Sequence, residues 1–212
     1  MAYECIRQLC GPLVLRKIRA VRGREHLPKE YPFIIAANHG GFLDAPALAV
    51  LMFEHYNRPV YFFTKEEYWK RLGGRLSGNW LGLIPVYYQD KRRSLLEAIA
   101  TVRRGQSVGI FPEGTRNTDP IELRRAKTGA VRLALETGAP LVPVGIRNGT
   151  GHSFWEVFRS MFTKQGFIDI TIGKPMSLKE FVGKPISREL LEQANRTVMR
   201  GIGALCGKHY RF

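Results

Sequence analysis

Apolar residues gather along this chain in short continuous runs, and helically spaced stretches lie between them. The runs are "FIIAAN" (33–38), "PVYFFTK" (59–65), "GLIPVYY" (82–88), "SVGIFPE" (107–113) and "PLVPVGIRN" (140–148). Runs of this length suit strands buried on both faces. Helical spacing covers 45–54, 66–79, "KRRSLLEAIATVRR" (91–104) closed by Gly105, and "AKTGAVRLALET" (126–137) closed by Gly138. Glycine just past the last periodic residue is an expected helix stop. The stretch "FIDITIG" (167–173) adds a strand, and a helix follows from about Ser187, its N-cap, to Cys206. Strands alternating with helices predict a single α/β domain, a largely parallel sheet flanked by helices on both faces.

Loops at strand carboxyl ends are where open α/β sheets place their sites. Two such loops carry chemistry here. "NHGGFLD" (38–44) leaves the first predicted strand and leads into a helix. Asp44 occupies a natural N-cap position, two residues before Pro46, so a plain helix cap accounts for it as well as chemistry does. A cap does not account for His39, nor for Gly40 and Gly41, which keep the loop free of bulk. Positions five apart do not share a helix face, but a turn before the helix can fold the imidazole back onto the carboxylate. The product is a histidine oriented by an aspartate, a general base. The second loop is "FPEGTRN" (111–117), where Gly114 permits a sharp turn, Thr115 offers a hydroxyl and Arg116 a planar fork suited to phosphate. A polar loop with a surface arginine is the bland alternative.

Composition changes the picture at one point. Apolar content of 44% with 24% charged residues is ordinary for a globular protein, whereas a net charge of +15 is not. Such a surplus implies an acidic partner: nucleic acid, an anionic membrane surface or a phosphorylated substrate. Cys5, Cys10 and Cys206 suggest neither a disulfide framework nor a zinc site, and no other metal or cofactor motif is present. Glu4 and Arg7 interrupt the stretch a signal peptide would need, and no apolar run is long enough to predict a transmembrane helix. "GQSVG" (105–109) matches a serine-hydrolase elbow, but Ser107 opens a strand where that elbow must leave one.

"NHGGFLD", "GLIPV", "FPEGTR" and "LVPV", in that order, resemble the four sequence blocks of the glycerolipid acyltransferases, of the 1-acylglycerol-3-phosphate acyltransferase type. The lead-in "VRGREHLPKEYPFIIAANH" and the stretch "RAKTGAVRLALETGAPLVPV" are similar too, so the resemblance covers most of residues 20–148. It implies that His39 takes the proton of an acceptor hydroxyl while Asp44 orients the ring. The hydroxyl oxygen then attacks the thioester of acyl-CoA or acyl carrier protein, without an acyl-enzyme. It also implies that the third block, Glu113, Gly114, Thr115 and Arg116, binds the phosphate of lysophosphatidic acid, the acceptor. No cofactor is implied.

This chain departs from the pattern at two places. Serine is common two residues after the histidine, where this chain has Gly41, so any hydrogen bond from that hydroxyl is absent or supplied otherwise. The second block usually ends in a nearby arginine; here the basic residues are delayed to Lys91, Arg92 and Arg93, at a helix start that itself favours anions. Lys127 is a further phosphate candidate, and a solvated surface is the alternative for each of these cations.

Two apolar stripes bear on the membrane. Ile6, Leu9, Leu13 and Val14 follow helical spacing ahead of Arg16, Lys17, Arg19, Arg22 and Arg24; Phe154, Trp155, Phe158, Met161 and Phe162 form the second, beside Arg159 and Lys164. Each either faces the core or lies in a membrane interface. The expected division is a basic amphipathic, membrane-contacting helical segment (1–24), a catalytic core (25–148), and the aromatic stripe, strand and terminal helix (149–212). A peripheral enzyme on the cytoplasmic face of a membrane follows. The rivals are an acyltransferase for another lysophospholipid, glycerol-3-phosphate or an amino-lipid, and a non-catalytic lipid-binding protein of this fold. A nucleic-acid partner is not expected, because no reading helix or RNP-type aromatic motif accompanies the charge.

Overall fold

The computed structural model describes residues 11–74, 78, 81–151, 154–163, 166–176, 178 and 187–212. Its strands are β1 (Ile18–Arg22), β2 (Ile34–Ala37), β3 (Val60–Lys65), β4 (Leu83–Val86), β5 (Ser107–Ile110), β6 (Leu141–Asn148) and β7 (Ile168–Ile172). They form one sheet in the order β1-β7-β6-β2-β5-β3-β4. Its helices are α1 (Asp44–Tyr56), α2 (Glu66–Arg71), α3 (Lys91–Arg103), α4 (Gly129–Thr137), α5 (Phe154–Met161) and α6 (Arg188–Cys206). Pairing is parallel throughout except between β6 and β7. The six strands expected from the apolar runs are all present.

β2 shows why those runs are continuous. All four of its residues are buried, Ile34 and Ala36 in one core and Ile35 and Ala37 in the other. Side chains alternate across a strand, so a central strand covered on both faces must be apolar at every position. The first core takes Ala98 and Val102 of α3, Leu133 of α4 and Val198 and Ile202 of α6. The second takes Leu48, Leu51 and Met52 of α1 together with Val14 and Val157. Chain leaving β2 therefore passes to one face through α1, and chain leaving its neighbour β5 passes to the other through α4. A crevice opens between two such diverging connections at the carboxyl edge.

Three boundaries differ from expectation, each for a physical reason. Residues 18–22 form an edge strand where an amphipathic membrane segment was expected. The edge of β7 would otherwise be unpaired, and the alternation in "IRAVR" suits a half-buried strand. The Arg19 guanidinium forms a two-bond pair with Asp169 and stacks on Phe167, 3.6 Å from the ring centre. Its hydrogen bonds hold the Asp169 carboxyl below the usual carboxylate range. Lys17 is buried, its Nζ donating to the Thr163 carbonyl at 2.7 Å, and its burial lowers the ammonium's pKa. These two charges serve the fold. Residues 11–15 are helical, whereas Cys5, Ile6, Leu9, Cys10 and Lys164 lie outside the described residues.

The helix expected over 66–79 ends at Arg71, because Gly73 and Gly74 take positive φ angles of 88° and 62°. The one expected from 126 begins at Gly129, because the Lys127 amide donates to the Pro112 carbonyl at 2.8 Å instead. Ser187 caps α6 as expected, accepting from the Leu190 amide at 3.1 Å.

Candidate active site

The carboxyl end of β2 is fixed by the side chain of its next residue. Asn38 extends the ladder to β6: its Nδ2 donates to the Ile146 carbonyl at 2.8 Å and its Oδ1 accepts from the Ile146 amide at 2.7 Å. His39 therefore leaves the sheet in a set direction. Its amide donates to Glu113 Oε1 at 3.0 Å, and its carbonyl accepts from the Asn117 amide at 2.7 Å. The two loops singled out in the sequence are thus stitched together through the backbone of His39.

The ring of His39 lies on Phe111, with centroids 4.2 Å apart and planes 17° from parallel. Its Nδ1 is 2.8 Å from Asp44 Oδ2. A carboxylate oxygen only accepts, so Nδ1 carries the proton of the neutral ring and Nε2 keeps the lone pair. The imidazole retains 21% of its exposure, while the Asp44 side chain has none.

Asp44 is not the cap its position suggested. The N-cap of α1 is Leu43, and no side chain caps that helix. The Asp44 carboxylate faces back into the preceding loop. Oδ2 accepts from the Gly40 and Gly41 amides at 2.7 and 2.8 Å as well as from His39, and Oδ1 accepts from Asn148 Nδ2 at 2.6 Å. A fully buried charge is sustained in this way, by several donors on one carboxylate.

The third-block residues divide between two tasks. Glu113 is buried, and beyond its bond to His39 its Oε2 accepts from Asn117 Nδ2 at 2.7 Å and the Arg124 amide at 2.9 Å. Glu113, expected at the phosphate, is thus an inward-facing anion with both oxygens engaged, and it braces the two loops. Gly114 turns at a φ of 71°, and a Cβ there would meet Lys127 Nζ at 2.6 Å. Thr115 and Arg116 are exposed, and the Arg116 guanidinium lies 3.6 Å above the ring of Phe42, which belongs to the histidine's own loop.

Arg116 and Lys127 are thus brought to the two loops. Lys91, Arg92 and Arg93 are not. They stand exposed at the start of α3, with Asp90 as its cap and Arg93 lying 4.1 Å from the ring centre of Tyr87. α3 follows edge strand β4, three strands from β2, or about 14 Å across the sheet. Ser107 is buried, and its hydroxyl accepts from the Phe33 amide at 3.0 Å, so it is no nucleophile. Asn38, Asn117 and Asn148 were not expected at the site. Asparagines at the ends of apolar runs were the signal available in the sequence, but the partners of Asn38 and Asn148 lie more than 100 residues along the chain.

A family model described as Acyltransferase matches residues 18–147. The chain is 29% identical over 190 residues to the 1-acyl-sn-glycerol-3-phosphate acyltransferase of Bacillus subtilis, an overlap covering 88% of this chain and 87% of that one. Against the enzyme of the same name from Borreliella burgdorferi it is 32% identical over 131 residues, 60% of this chain and 50% of that one. Among solved structures, the 1-acyl-sn-glycerophosphate acyltransferase PlsC from Thermotoga maritima superposes with a TM-score of 0.67 at 24% identity, covering 96% of this chain and 80% of that one.

Proposed function

The chain belongs to the acyltransferase family, and from that premise we propose that it acylates the free hydroxyl of 1-acyl-sn-glycerol-3-phosphate, giving phosphatidic acid. The observation that carries this reading is the oriented His39–Asp44 pair with Arg116 gathered at the rim of its loop. His39 Nε2 takes the hydroxyl proton as the oxygen attacks the thioester carbonyl of acyl-CoA or acyl carrier protein. Buried Asp44 stabilises the imidazolium that forms. The tetrahedral intermediate collapses, the thiolate leaves, and the imidazolium returns the proton to sulfur. A weakly acidic alcohol needs a placed base, and an anionic phosphate gives the enzyme a handle for placing the alcohol.

Arg116, with Thr115 and Lys127, holds that phosphate in this proposal. Arg116→Ala is expected to raise the KM for the lysolipid about tenfold and leave the donor KM within twofold. A charge-assisted bond at an exposed site contributes about 1.5 kcal/mol, the lower end of its range. Steady-state kinetics with each substrate varied in turn checks this. A weakened donor KM with an intact acceptor KM would assign Arg116 to the carrier. The acceptor is tested by incubating purified protein with several acyl donors and with lysophosphatidic acid, other lysophospholipids and glycerol-3-phosphate, reading products by mass spectrometry. Turnover confined to a different acceptor would overturn the lysophosphatidate reading.

In this proposal the chain meets its lipid at an anionic bilayer surface, peripherally, from the cytoplasmic side. No helix among the described residues is long and apolar enough to cross a membrane. Trp155, Phe158 and Phe162 keep 70%, 48% and 71% of their exposure along one face of α5 and its end, while Val157 and Ser160 are buried on the other. An aromatic ridge on a chain of net charge +15 suits an interfacial helix over anionic headgroups. α5 follows β6, so the ridge lies toward the sheet edge that carries His39. Replacing all three aromatics by serine is expected to weaken binding to phosphatidylglycerol vesicles, read by cosedimentation, at least about tenfold, since even a single inserted ring adds about 1.5 kcal/mol. Unchanged cosedimentation would place the contact elsewhere.

A further inference from the structure

We propose that Asn148 is a positioning residue for the His39–Asp44 pair, and that residue 41 is glycine because the Asn148 amide fills the space a side chain there would need. This rests on His39 acting as the base. Asn148 is the last residue of β6, the strand beside β2, so it reaches the site from the far side of the loop.

The orientation of its amide is fixed. Its Oδ1 accepts from the Thr150 amide at 2.9 Å and from the Thr150 hydroxyl at 2.7 Å. Only the oxygen can accept from a backbone N–H, so Nδ2 must be the atom facing Asp44 Oδ1, 2.6 Å away. The other three donors to Asp44, including His39, meet Oδ2. Asn148 is therefore what holds the second oxygen of a side chain with no exposure to water. Without it the carboxylate is free to rotate, and the acceptor that fixes the His39 tautomer rotates with it.

Gly41 supplies the independent observation. A Cβ built there would lie 2.5 Å from Asn148 Nδ2 and 2.9 Å from its Cγ. Gly41 is not among the glycines with positive φ, so its backbone conformation is open to other residues and packing is what excludes them. Positions 41 and 148 compete for one site beside Asp44 Oδ1. With a small residue at 148, a serine at 41 would bring its hydroxyl close to the place Nδ2 has vacated.

The test compares the parent with Asn148→Ala, Asn148→Asp, Gly41→Ser and the double variant Gly41→Ser/Asn148→Ala. Asn148→Ala is expected to lower kcat about tenfold, as loss of a bond to a charged group implies, with both KM values within twofold. Asn148→Asp keeps the size and the acceptor for Thr150 but turns an anion toward Asp44, and should lose more. Gly41→Ser alone should also be impaired, while the double variant should recover to within about threefold of the parent. Nitrogen-15 spectra of the His39 ring provide a readout independent of turnover. The single Nδ1–H tautomer should be lost in Asn148→Ala and restored in the double variant. Parent-like kcat and ring spectra in Asn148→Ala or Asn148→Asp would overturn the proposal, as would a double variant no better than Asn148→Ala. A parent that consumes no thioester would instead overturn the acyl-transfer reading, and the ring spectra would still decide what Asn148 holds.

Discussion

His39→Ala is expected to lower kcat about 10³-fold and to leave the fold in place. A positioned general base contributes about 10² to 10⁴ to such a reaction, and no other imidazole stands in this loop to replace it. The structural loss is small by comparison. The ring is partly exposed and packs on Phe111 through one face, so its removal forfeits about 1 kcal/mol of stacking. It also removes one of the four donors to buried Asp44, about 1.5 kcal/mol more, so for a chain of 212 residues Tm falls by about 5–10 °C. The backbone bonds of His39 to Glu113 and Asn117 do not involve the ring and survive the substitution. Turnover of lysophosphatidic acid and calorimetry on the same preparation check both halves. Activity within tenfold of the parent would remove His39 as the base; a collapse of Tm would show that the ring holds the fold.

The spacing of His39 and Asp44 was legible because their contact is local, closed by a five-residue turn. What surrounds them was not. Asp44 meets Asn148 across 104 positions, and the His39 amide meets Glu113 across 74; neither separation has a periodic trace. The inward contacts of Glu113 with the His39 and Arg124 amides were hidden for the same reason. The buried strands were readable because a strand covered on both faces has to be apolar throughout, as β2 is. β1 was not, because its arginines look solvent-directed until Asp169, 150 residues away, is known to face Arg19. The stripe on α5 was visible as a stripe, but period alone does not say whether water or core lies against it. Trp155 and Phe162, exposed in the fold, answer that.

Asp44→Asn separates holding the loop from orienting the base. Had Asp44 been a helix cap, asparagine would have replaced it almost without loss. Instead four donors converge on its carboxylate, and asparagine offers one oxygen and one NH₂. Its oxygen can stay with His39, Gly40 and Gly41. The new NH₂ then faces the NH₂ of Asn148, which cannot turn over without losing Thr150. Alternatively the amide reverses, and an NH₂ faces the His39 Nδ1 proton. The imidazole must then move its proton to Nε2, the nitrogen that should accept from the substrate. In both arrangements the negative charge that stabilises the imidazolium is gone. The corresponding Asp to Asn change in a Ser-His-Asp triad lowers kcat about 10⁴-fold. His39 keeps 21% of its exposure, so water offsets part of that loss, and a drop of about 10² is expected here. One buried unsatisfied donor costs about 1–3 kcal/mol, which in a chain of this length lowers Tm by about 2–12 °C. Measuring kcat and Tm together distinguishes the roles. A lowered Tm with nearly normal kcat would leave Asp44 as the residue that folds the loop, and His39 would need another source of orientation.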